Sequence, residues 1–164
     1  MNAMKTKVIL GLVLSLTSAM ALSQGEKPGL RKEMETFYEK LDNIVEKGTV
    51  QQFFTLFDPS YYLVDTQGKR MNFAQFKQMV NGMAQGAKIV KSESRIKNVQ
   101  LQDQEAVVWI QNEMVWKERS GNGWATKKST TRWAENLVRK GNTWRFKSSQ
   151  QLMTDEPWSF KTTG

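Results

Sequence analysis

The chain has 164 residues, carries 24 Lys+Arg against 16 Asp+Glu for a net charge of +8, and contains neither cysteine nor histidine. This composition excludes thiol nucleophiles, thiolate metal sites and disulfide staples, and it removes the commonest general base and transition-metal ligand. Stability must come from a packed core, which a chain of this length supplies within one domain.

Residues 1–21 read as a secretory leader. Lys5 and Lys7 give the positive start, residues 8–16 form an apolar run, and Ala19-Met20-Ala21 is a small-x-small cleavage site, with Ala21-Leu22-Ser23 as the alternative. The run is too short to span a bilayer, which takes about 20 apolar residues. The expectation is an exported protein, periplasmic or secreted and of bacterial type, with no membrane span. Residues 22–29 are a linker with Pro28 and Gly29.

From Leu30 the pattern turns periodic. Leu30, Met34, Phe37, Tyr38, Leu41, Ile44 and Val45 form one stripe of a helix that Gly48 ends. Thr49-Val50-Gln51-Gln52 has capping-box form and opens a short helix with Phe53, Phe54 and Phe57 on its buried face. Asp58-Pro59 is expected to stop it. Residues 61–65 read as a strand, and Gln67-Gly68-Lys69 as a turn. Asn72 caps a third helix with Phe73, Phe76, Met79, Val80 and Met83 in its stripe.

Beyond Gly86 the period drops to two. Strands are predicted over 88–101, 105–117, 124–139 and 143–152, with turns at Asp103-Gln104, Ser120–Gly123 and Gly141-Asn142. Residues 153–164 read as an irregular tail. Helices first and strands after predict an α+β domain over 30–152. In it, three helices pack on a strongly curved, mainly antiparallel sheet, a cone with an internal pocket.

This order of elements resembles the nuclear transport factor 2-like superfamily, of the SnoaL-like, cone-shaped type, across residues 30–152. The resemblance is carried by Gly48-Thr49, by Phe53, Phe54, Leu56 and Phe57 before Asp58-Pro59, and by Tyr61 to Asp65 with Gly68. It is completed by the closing hairpin, where Gly141 and Trp144 match a glycine-x-x-tryptophan pattern. The resemblance implies a cone holding a ligand or an active site. Members include isomerases, dehydratases, cyclases and epoxide hydrolases, along with non-catalytic binding or assembly modules, so the fold alone does not choose.

Asp65 matches the place of the aspartate base in steroid-isomerase-like members. Lys40 and Leu41 stand where the first helix would need a tyrosine donor, and Tyr38 is out of register. The other reading of Asp65 is a hydrogen bond to its own turn. The Asp/His pair of dehydratase-like members cannot form without histidine. Strict alternation puts Trp144, Phe146, Ser148 and Gln150 on one face of the last strand, with Ser148 and Gln150 facing a ligand or solvent. Asn112 interrupts the apolar face formed by Ala106, Val108, Ile110, Met114 and Trp116. The candidate ligand-binding set is therefore Tyr62, Asp65, Asn112, Trp116, Ser148 and Gln150, with no metal and no cofactor. Glu113 and Glu135 are further carboxylates whose spacing does not pair them.

Val107 and Trp109 lie on the opposite face, which a homodimer or the tail residues Trp158 and Phe160 would cover. Lys127-Lys128, Arg132, Arg139-Lys140, Arg145 and Lys147 interleave with Trp124, Trp133 and Trp144. They read as edge-protecting charges or as a platform for an anionic glycan or lipid headgroup, and no nucleic-acid partner is expected of an exported protein. The leading expectation is a non-catalytic module holding a small apolar or mixed-polarity ligand in the cone. The alternatives are an isomerase or lyase with Asp65 as base, and an envelope interaction module acting through the outer sheet face.

Overall fold

The computed structural model describes residues 29–154. The leader, Trp158 and Phe160 lie outside the described residues. Helix α1 spans Leu30–Lys47 and buries Leu30, Met34, Phe37 and Tyr38. The Gly48 amide donates to the Ile44 carbonyl at 2.8 Å, and a Cβ on Gly48 would stand 2.7 Å from that oxygen. Glycine is what lets α2 (Val50–Phe54) start two residues later. In α2, Thr49 Oγ1 accepts from the Gln52 amide while Gln52 Oε1 accepts from the Thr49 amide, the predicted capping box. Asn72 and Gln75 repeat the device at the start of α3 (Phe73–Gly86).

The first strand begins earlier than the sequence suggests. Strand β1 covers Phe57–Val64, and α2 ends at Phe54, so Asp58-Pro59 lies inside a strand instead of stopping a helix. The register against the neighbouring strand shifts between Phe57 and Tyr62, and in that irregular stretch Pro59 owes no amide to the ladder. A three-residue strand β2 (Arg70–Asn72) follows the turn.

Strands β3 (Ala87–Gln102), β4 (Glu105–Ser120), β5 (Gly123–Lys140) and β6 (Thr143–Thr154) form a meander joined by two-residue loops. The first residue of each loop, Asp103, Gly121 or Gly141, takes a positive φ of 54°, 58° or 59°. Strand order is β2-β1-β6-β5-β4-β3. Among the described residues only β1 and β6 pair in parallel, and the sheet is not closed. This is the α+β arrangement expected: helices first, then a mainly antiparallel sheet. Bulges in β3 and β6 bend the sheet.

Helix α1 lies across the concave face. Phe37 packs edge-on against Phe146 of β6, with centroids 5.0 Å apart. Further along, Asp42 and Glu46 meet β3, the edge strand. The Ser92 amide donates to Glu46 Oε1 at 2.8 Å, and the Ser94 amide donates to Asp42 Oδ2 at 2.7 Å. Two helix carboxylates thus satisfy edge amides that would otherwise invite a foreign strand.

Aromatic rings fill the narrow end of the cone. Phe57 stands within 4.7–5.8 Å, centroid to centroid, of Phe53, Tyr61, Phe73, Phe76 and Phe146. The internal space anticipated from sequence is therefore solid side chain at this end. Among the described residues no helix is long and apolar enough to cross a membrane.

Candidate functional site

Residues opposed in adjacent strands share a face, so the register identifies the concave surface. Leu137, Glu135, Trp133 and Thr131 of β5 oppose Ala106, Val108, Ile110 and Asn112 of β4. On the far side of β5, Leu137, Glu135 and Trp133 oppose Phe146, Ser149 and Gln151 of β6. Glu135 thus falls in phase with the buried Leu137 and is itself only 7% exposed.

Tyr38, on the buried stripe of α1, donates its hydroxyl to Glu135 Oε2 at 2.5 Å. Ser149 Oγ donates to Oε1 at 3.1 Å. The Tyr61 hydroxyl of β1 also interacts with Ser149. Both carboxyl oxygens are thereby engaged in a pocket walled by rings. Burial pushes the Glu135 carboxyl from 4.5 up to about 7, against the bonds from Tyr38 and Ser149, which pull it down. The negative charge of Asp42 adds to the upward shift. Burial also drives the Tyr38 hydroxyl well above its ordinary value, and the Glu135 charge pushes in the same direction. Tyr61 moves upward as well, again chiefly through burial. Burial therefore raises the Glu135 carboxyl to about 7 and keeps both tyrosines protonated.

A second polar cluster adjoins the first. Asp42 Oδ1 accepts from the Ser92 hydroxyl at 2.7 Å and from the Ser94 hydroxyl at 2.9 Å. Asn112 Nδ2 donates to the same two hydroxyls at 3.2 and 3.3 Å. Asn112 therefore faces the concave side and stitches β4 to β3 beneath α1. Among the described residues, every fully buried side-chain nitrogen or oxygen has a partner.

The six sequence candidates do not form one constellation. Asn112 and Trp116 lie on the concave face, Trp116 being buried with its indole N–H on Glu118 at 3.2 Å. Ser148 and Gln150 lie on the convex face, opposite Asn136 and Ala134. The cause is a bulge: Leu137 opposes Phe146 while Asn136 opposes Ser148, so Lys147 is an extra residue and the alternation slips by one. Ser149 and Gln151 take the inward positions that strict alternation gave to Ser148 and Gln150. Tyr62 opposes Ser148 and shares the convex face, where the Arg70 guanidinium sits 3.6 Å from its ring centroid.

Asp65 stands in the β1–β2 turn. Its Oδ1 accepts from the Gln67 amide at 2.9 Å and from the Lys69 amide at 2.8 Å. These are the bonds of a turn-forming aspartate. Glu113 faces outward in a surface network with Arg95 and Lys128. Glu135, the other unpaired carboxylate of the sequence, differs from it by two signals: its phase with Leu137, and a tyrosine on the buried stripe of α1 that needs an acceptor.

No protein-family model matches the chain, and no curated protein matches it. Solved structures do. A conserved protein from Planctomyces limnophilus superposes with a TM-score of 0.64 at 12% identity, covering 73% of this chain and 92% of that one. An NTF2-like protein of unknown function from Prochlorococcus marinus gives 0.62 at 8% identity, covering 78% and 95%. A ketosteroid isomerase-like protein from Erwinia carotovora atroseptica gives 0.59 at 9% identity, covering 78% and 99%. At such identities the likeness speaks for the fold alone. The chain has the nuclear transport factor 2-like fold.

Proposed function

We propose that the protein is a small-ligand-binding module whose site is the concave face on the open side of Glu135. The observation that carries this reading is a buried carboxyl, poised near neutrality, facing inward among two tyrosines and a serine. Beyond the packed rings the concave face becomes mixed: Asn112, Met114 and Trp133 are half-buried, while Thr131 and Trp116 are buried. Such a surface suits a mostly apolar molecule with one or two hydrogen-bonding groups. Of the sequence candidates, Asn112 and Trp116 stay in this site, and Glu135, Met114, Thr131 and Trp133 join them. Native mass spectrometry of the protein after incubation with a bacterial envelope extract tests the reading. A retained small molecule, lost in Asn112→Ala or Trp133→Ala, is expected; no retained species would contradict it.

A second reading is favoured by the same carboxyl: proton transfer of the isomerase or lyase type, with Glu135 in place of Asp65. Glu135→Gln would then abolish turnover of a retained molecule while Asp65→Asn leaves it intact. The ketosteroid isomerase-like structure supports the scaffold for this reading, not its chemistry. We further propose that the protein is exported by the leader over residues 1–21, and that the convex face, with Val107 and Trp109, is a homodimer surface. Sedimentation of the mature chain checks the dimer.

A further inference from the structure

A recess of about 630 Å³ lies outside the cone, between α1 and the β5–β6 hairpin. One wall is Glu33, Thr36, Phe37 and Lys40, spaced i, i+3, i+4 and i+7 along one stripe of α1. The floor includes Phe37 and Leu56, 8% and 4% exposed. The opposite wall is built from Arg139 and Trp144, with Asn142 and Thr143 at the hairpin turn.

That wall is held in place. Glu33 Oε2 accepts from the Arg139 guanidinium and, at 2.9 Å, from the Trp144 indole N–H. The guanidinium lies 4.9 Å from the Trp144 ring centroid. One carboxylate oxygen uses only part of Arg139's set of five donors. Lys40 forms no ion pair with any described carboxylate, and it also lines the adjoining recess of about 620 Å³, so it stands between the two. Thr36, Thr55, Thr143 and Asn142 border the same space, and the three threonine hydroxyls, which donate to the Lys32, Gln52 and Lys140 carbonyls, keep lone pairs with which to accept.

We propose that this recess binds a small polyhydroxylated anion of the sugar-acid or sugar-phosphate class. Lys40 and the spare Arg139 donors take the anionic group, the hydroxyl and amide side chains accept from the ring hydroxyls, and Trp144 offers apolar ring surface to the sugar's C–H groups. The basic, tryptophan-bearing hairpin noted in the sequence thereby gains a specific role. The site is separate from the concave face and stands or falls independently of it.

Titration of the full chain, followed by the Trp144 indole N–H resonance in NMR, tests the proposal with four probes: glucuronate, glucose 6-phosphate, glucose and inorganic phosphate. Glucuronate or glucose 6-phosphate should shift that resonance and bind about tenfold more tightly than glucose or inorganic phosphate, and whichever is tighter identifies carboxylate or phosphate as the anion. Lys40→Ala should weaken that binding about tenfold without changing the melting temperature. Glucose binding as tightly as the anions, inorganic phosphate matching the sugar anions, an unmoved Trp144 resonance, or an unchanged affinity in Lys40→Ala would each overturn it.

Discussion

The two halves of the concave interior are built by opposite means. At the narrow end Phe57 touches five other aromatic rings, and stability there comes from area removed from water and from ring packing. Directly beside it, and sharing Tyr61 with it, Tyr38, Glu135, Ser149 and Tyr61 bury a titratable group that only its hydrogen bonds make tolerable. The first region resists change in proportion to volume lost. The second responds to protons. A fold needing only a core had no use for a buried carboxyl at the centre of its sheet, and this contrast is the reason for placing function beside Glu135.

The largest effect should come from the ring cluster. Phe57→Ala removes a side chain with five ring neighbours and should destabilise the protein by about 3–5 kcal/mol in denaturant unfolding. A much smaller loss would mean the narrow end is loosely packed and the contrast false.

The next effect is electrostatic. Glu135 titrates near 7 when folded and near 4.5 when unfolded, so the folded state holds the extra proton between those values. The resulting stability is fully present below about pH 4.5 and is lost as pH rises through about 7. The difference is of order 3 kcal/mol. Comparing the pH dependence of unfolding in the parent and in Glu135→Gln isolates this contribution, since the glutamine has no proton to lose.

Tyr38→Phe keeps the ring and deletes the donor to Oε2. It should cost about 1–3 kcal/mol, more at pH 8 than at pH 5, and should move the Glu135 midpoint upward. The smallest effect belongs to neither half: Asn72→Ala removes the α3 cap and should cost about 1 kcal/mol in thermal or denaturant unfolding, independent of pH between 5 and 8.

The helices were legible because their signals are local. The stripe of α1, the capping boxes at Thr49 and Asn72 and the turn residues at Asp103, Gly121 and Gly141 all act within a few residues of themselves. The site was less legible because it depends on register. Alternation holds along β4, so Asn112 and Trp116 were placed on the correct face. It fails along β6, where one extra residue at Lys147 exchanges Ser148 for Ser149. Pro59 misled for a related reason, since a proline that ends helices is also tolerated where a ladder is irregular. Glu135 carries a local signal in its phase with Leu137, but that Tyr38, 97 residues earlier, lies over it is a tertiary fact.

The most direct test is a side-chain carboxyl titration by carbon-13 NMR, with the Glu135 resonance assigned through Glu135→Gln. A midpoint close to 7, moving upward in Tyr38→Phe, is the result expected of a carboxyl buried beneath α1. A midpoint near 4.5 would show Glu135 in contact with water, and the division of the interior into a packed half and a proton-responsive half would be wrong.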